Sequence, residues 1–91
     1  MFNVIATLRV LPESPEVDLE SLEHAIGEIV PSNMELYKIE KEPIAFGLVA
    51  LNVMILTTDN KEGDVTPLEE GIGGLDKVSQ VEVVDVRRTL G

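Results

Sequence analysis

Cysteine and tryptophan are absent from this sequence, and histidine and tyrosine occur once each. Without cysteine there is no disulfide framework and no thiolate metal site. The same absence fits a reducing compartment, so the expected location is cytoplasmic. A single histidine, His24, leaves no convincing set of members for a Ser-His-Asp or Cys-His arrangement. Basic residues are scarce: seven Lys and Arg stand against seventeen Asp and Glu, for a formal net charge of −10. A phosphate backbone rewards Lys and Arg, so direct binding of free nucleic acid is not expected. No apolar run reaches the roughly 18 residues that a membrane span needs. The opening residues MFNVIATLRVLPESPE lack the early positive charge of a signal peptide. No phosphate-binding GxxxxGK[ST] loop is present. Gly71-Ile72-Gly73-Gly74 is glycine-rich, but it closes a helix, whereas phosphate prefers helix starts. The carboxylates show neither an EF-hand spacing nor a helical ligand pair, so neither a metal nor a cofactor is expected.

What the sequence does have is aliphatic. Hydrophobic residues make up 44% of the chain, and only three residues are aromatic, namely two Phe and one Tyr. Ninety-one residues suit one domain, spanning 1–91, with one core built from Val, Ile and Leu. Phe2, Val4, Ala6, Leu8 and Val10 alternate, which predicts a strand over residues 2–11 with one buried side. Pro12 and Pro15 end it. Asp18 is a good N-cap for a helix over residues 18–30, with Leu19, Leu22, Ile26 and Ile29 as its apolar stripe. His24 falls off that stripe and is expected to be exposed. Pro31 stops the helix.

Residues 34–42 are polar-rich, as an edge strand with protective charges would be. Residues 47–58 form a long run that is apolar on both faces, the mark of a central strand. DNKEG reads as a loop. Thr66-Pro67-Leu68-Glu69 reads as a helix start, with Thr66 as cap, Pro67 at the first helical position and Glu69 completing a capping box. Residues 78–86 form the last strand, and RRTLG reads as a tail. Residues 13–35 carry seven acids and no Lys or Arg, which reads as a solvated helix face.

The order is β-α-β-β-α-β. Right-handed crossovers then place both helices on one face of a four-stranded antiparallel sheet, an α+β ferredoxin-like sandwich. The other face keeps the outward apolar residues of the third strand, and such a patch often marks a protein contact. Between the two middle strands, Phe46 sits among small residues where a loop tip is expected. An aromatic on a rigid turn can anchor a partner, or it can fold back onto the core; spacing alone leaves both open. A small-ligand regulatory domain on the same fold remains an alternative. An acylphosphatase-like enzyme would need an Arg-containing anion loop after the first strand, where this chain has the acidic LPESPE.

Pro43-Ile44-Ala45-Phe46-Gly47-Leu48, followed by Leu51, resembles the P-I-(G/A)-F-G-hydrophobic signature of the guanine-nucleotide exchange domain of translation elongation factor 1-beta. The element order, D-x-x-x-L-E-x-x-I from Asp64 to Ile72 and V-x-x-V-E-V from Val78 to Val83 are similar too. The resemblance covers the whole chain, in the short archaeal form. It implies an exchange factor with no catalytic chemistry of its own, whose partner is the GTPase elongation factor 1-alpha. It also implies docking through Pro43, Ile44, Ala45, Phe46 and Gly47. Eukaryotic relatives end with a Lys that acts near the partner's magnesium, and Arg88 falls at that position by spacing, with Arg87 as a second candidate. Val49 stands where many family members carry Lys.

Overall fold

The computed structural model describes residues 2–59 and 64–89. Most of the expected DNKEG loop and the last two residues therefore lie outside the described part. β1 (Val4–Pro12) buries every second residue, as its alternation requires. α1 (Leu19–Ile29) follows, then β2 (Glu35–Pro43), β3 (Val49–Thr57), α2 (Thr66–Gly73) and β4 (Val78–Arg88). The strands lie in the order β2-β3-β1-β4, and every neighbouring pair is antiparallel. Both helices cover one face. Their buried residues Leu22, Ile26, Leu68 and Ile72 join Ala6, Leu8 and Val10 of β1 and Leu51, Val53 and Ile55 of β3 in a single core. None of these is aromatic; aliphatic side chains, joined by Met34, fill the space between sheet and helices.

Asp18 caps α1 as expected. Its Oδ1 accepts from the Glu20 amide (3.1 Å), and its Oδ2 accepts from the Ser21 hydroxyl (2.9 Å). α2 is capped differently from the expected Thr66–Glu69 box. Helical bonding begins one residue earlier, with the Glu69 amide donating to the Val65 carbonyl. That places Thr66 inside the helix, where its side chain cannot act as the cap. Asp64 does the work instead: its Oδ1 accepts from the Thr66 amide (2.9 Å) and from the Thr66 hydroxyl (2.8 Å).

A second correction concerns the end of the chain. The expected RRTLG tail is not a tail at Arg87 and Arg88, because both belong to β4 and pair with Ile5 and Val4 of β1. The ladder reaches further still, since the Thr89 amide donates to the Asn3 carbonyl (2.8 Å). Short-range polarity hid this, because a strand exposed along most of its length reads as a tail. The sheet edges are irregular. β2 bulges between Leu36 and Lys38, and the β1–β4 pairing shifts between Thr7 and Leu8 and again near Pro12. Such bulges discourage unwanted edge pairing. On the open face, Ile5, Met54 and Leu56 are half-buried. The apolar patch expected there is interrupted by Glu42, which accepts from Asn52 Nδ2 (3.1 Å) and faces Arg9 at 3.9 Å.

Ile26 is fully buried. Ile26→Ala should lower unfolding free energy by about 3 kcal/mol through lost burial and a cavity. A urea titration should show a lower midpoint with an unchanged slope. The caps predict a pH effect. Hydrogen bonds from the Ser21 side chain and backbone hold Asp18 below the ordinary carboxylate range, and those from the Thr66 amide and hydroxyl do the same for Asp64. A depressed carboxylate stabilises the fold above its unfolded value and loses that contribution as pH falls through its folded value. The stability gap between the parent and Asp64→Ala, measured by thermal melts, should therefore be open at neutral pH and close in acid.

Candidate functional site

β2 and β3 are joined by the five residues 44–48. The loop closes on itself: the Ile44 amide donates to the Leu48 carbonyl (2.8 Å), and the Leu48 amide donates to the Ala45 carbonyl (3.1 Å). At its tip Phe46 adopts φ 60° and ψ 32°, followed by Gly47 at φ 78°. Two consecutive left-handed residues turn the chain sharply. Glycine accepts that conformation freely, whereas a residue with a side chain is strained there by roughly 1–2 kcal/mol. Phe46 is 94% exposed. This decides between the two readings of Phe46, because a side chain so exposed does not pack onto the core. Pro43, Ala45 and Gly47 around it are also exposed, and Ile44 is half-buried.

Gly47 turns towards the loop after β1, where a β-carbon on it would stand 3.7 Å from the Pro15 Cβ. That is ordinary contact distance, so glycine is favoured there by the backbone angle and not by lack of room. Pro15, which in the sequence reads only as a strand breaker, thus lies beside the hairpin. No local pattern could have revealed this, because residues 15 and 47 meet only once β1 and β3 are paired.

Arg87 and Arg88 stand elsewhere. β3 starts opposite the end of β1, and Arg88 pairs with the start of β1. β1 has nine residues, so the two ends of the sheet are about 26 Å apart along the strands. The hairpin belongs to one pair of strands and β4 is the opposite edge. The Phe46 tip and the arginines therefore lie on a diagonal of the sheet, roughly 30 Å long. They are two separate places on the molecule and not one pocket.

The strand also separates the arginines from each other. Arg87 is opposite Ile5, on the open face, and its Nε meets Asp85 Oδ2 at 2.8 Å. Arg88 is opposite Val4, on the helix side, and its guanidinium meets Asp59 Oδ2 at 2.6 Å. Asp59 is the neighbour of Arg88 that sequence reasoning missed, as it sits in a loop segment with no pattern of its own. His24 is exposed and pairs with Glu28 at 2.8 Å. Among the described residues no cluster of His, Asp or Glu could hold a metal ion, and no helix is long and apolar enough to cross a membrane.

Comparison with known proteins bears on this arrangement. The chain is similar to the solution structure of the C-terminal domain of the MgtC protein from Mycobacterium tuberculosis, with a TM-score of 0.61 at 13% identity, covering 94% of this chain and 87% of that one. That likeness shows the fold alone. Sequence relatives are far nearer. Proteins named elongation factor 1-beta are 53% identical over 90 residues in Methanothermobacter thermautotrophicus and 49% identical in Methanobrevibacter smithii, each match covering 99% of this chain and 100% of the relative. Another, from Sulfolobus acidocaldarius, is 43% identical over 86 residues, covering 94% of this chain and 96% of that one. The profile of the EF-1 guanine nucleotide exchange domain matches residues 5–89. That span takes in both the Phe46 hairpin and the arginine end of β4, and the chain belongs to the EF-1 guanine nucleotide exchange domain family.

Proposed function

We propose that this chain is a guanine-nucleotide exchange factor that promotes GDP release from elongation factor 1-alpha during translation elongation, with Phe46 as its docking anchor. The observation that carries the docking role is the tip itself: a nearly fully exposed aromatic held in a strained backbone conformation. Strain of this kind tends to persist where it serves a site. Aromatic rings, Phe among them, are enriched in the cores of protein interfaces, and hot spots sit in well-packed pockets there. The small-ligand regulatory alternative is not favoured by family membership.

Exchange needs no chemistry on the nucleotide. A factor that binds the open or nucleotide-free GTPase better than the closed one loosens GDP by the same factor that GDP loosens it. A thousandfold loosening requires about 4 kcal/mol of differential binding. Phe46 in a pocket supplies about 2 kcal/mol of docking. Arg88 is the proposed source of a second contribution. A guanidinium brought near bound Mg²⁺ raises the energy of the closed state and costs nothing once the ion has left. Arg87, held against Asp85 on the other face, is the weaker candidate for this role. A partner that meets both Phe46 and Arg88 must offer two surfaces some 30 Å apart, which suits a folded GTPase.

Adding the chain to the partner loaded with a fluorescent GDP analogue should accelerate release; no acceleration at saturating concentration would refute the proposal. Phe46→Ala should weaken docking by about 2 kcal/mol with little change in melting temperature. Phe46→Gly should weaken docking as much while raising stability by up to about 1 kcal/mol, because glycine relieves the left-handed strain.

Charge substitution tests Arg88 better than truncation after Val86, since residues 87–89 also carry ladder hydrogen bonds. Arg88→Lys should retain activity. Arg88→Glu should keep docking but slow GDP release in excess Mg²⁺, with the deficit shrinking when a chelator removes the ion. Equal release rates for Arg88→Glu and the parent in excess Mg²⁺ would leave exchange to the hairpin alone.

A further inference from the structure

The partner of Arg88 comes from an unexpected distance. Asp59 follows β3, and β3 is not the neighbour of β4, because β1 lies between them. The contact therefore reaches across the start of β1. There, Asn3 joins both sides: its amide donates to the Thr57 carbonyl (3.0 Å), and its carbonyl accepts from the Thr89 amide (2.8 Å). Over this seam the Arg88 guanidinium lies 2.6 Å from Asp59 Oδ2. Arg87, by contrast, only folds back on its own strand, to Asp85 two residues away.

We propose that Asp59 is a positioning residue for exchange, which holds Arg88 against the sheet and releases it when the partner docks. The inference rests on Arg88 being the exchange cation. Its physical basis is the range of the field. A free guanidinium repels Mg²⁺ as a point charge, whereas a guanidinium in contact with a carboxylate acts as a dipole whose effect fades much faster with distance. Paired with Asp59, Arg88 is nearly silent towards a remote ion. Unpaired, it is the charge that exchange needs. The pair is also built to open. The two side chains are 75% and 40% exposed, and exposed ion pairs are weak and screened by salt. Asp59 therefore restrains Arg88 without locking it.

The test uses the full chain and the GTPase loaded with the fluorescent GDP analogue, at fixed free Mg²⁺ and subsaturating factor. Four proteins are compared: the parent, Asp59→Asn, Arg88→Ala and the double variant. Asp59→Asn should speed release about two- to fivefold, the range set by a weak surface pair. It should also raise the free Mg²⁺ needed to halve the release rate, which a merely structural change would not do. Binding to the nucleotide-free partner should tighten by no more than about the same two- to fivefold, because docking no longer has to break the pair. Added KCl should narrow the gap between parent and Asp59→Asn, because screening and substitution weaken the same contact. In the Arg88→Ala background Asp59→Asn should give no gain. If Arg88→Ala slows release but Asp59→Asn fails to speed it, or slows it, Asp59 is a strut and the proposal is overturned while the role of Arg88 stands. If Arg88→Ala leaves release unchanged, the role of Arg88 falls, and the proposal falls with it.

Discussion

β1 pairs with β3 along one side through Val4 to Val10, and with β4 along the other through Val4 to Pro12. Its even-numbered residues meanwhile supply Ala6, Leu8 and Val10 to the core under both helices. Three demands thus converge on nine residues: two hydrogen-bonded ladders and one packed face. Because side chains alternate strictly along a strand, a slip of one residue on either side would expose that whole face to water. The register of β1 consequently fixes where β3 begins and where β4 ends. Those two places carry the exposed aromatic and the terminal arginines.

Much of this was legible in the sequence, for reasons that differ by element. β1 and β3 were readable because their patterns report burial directly, as alternation on one face or apolarity on both. α1 was readable from its stripe and from Asp18. The start of α2 was misread because two oxygen-bearing residues, Asp64 and Thr66, stand two positions apart, and either could cap. Only the backbone geometry shows that helical bonding begins at Val65 and hands the role to Asp64. The end of β4 was misread because its outward residues look like those of a solvated tail. Pairing with β1, not polarity, makes Arg87 and Arg88 part of the sheet.

The site divides along the same line. Phe46 stood out as one of two Phe residues among small neighbours, and the structure adds the left-handed backbone that presents it. The approach of Pro15 to the hairpin and the contact of Asp59 with Arg88 join residues about thirty positions apart in the chain. Neither has a local signature, so no reading of spacing could supply them. Five of the seventeen acids take separate local roles. Asp18 and Asp64 cap helices, while Asp59, Asp85 and Glu42 each meet an arginine. These acids need not share a single docking role.

The diagonal placement of the hairpin tip and the arginine end makes the sheet a calliper. Its jaws are set by residue count, since each added strand residue moves one jaw by about 3.3 Å. The setting also has a parity. Lengthening β1 and its two neighbours by a pair of residues would open the calliper by about 7 Å and leave every side chain on its present face. Adding a single residue to β4 alone would turn its last residues over and bring Arg88 to the open face that Arg87 now occupies. The β1–β4 ladder already holds one such odd residue, at the shift between Thr7 and Leu8, so an odd step is taken up as a bulge that turns a face over, whereas an even step preserves it.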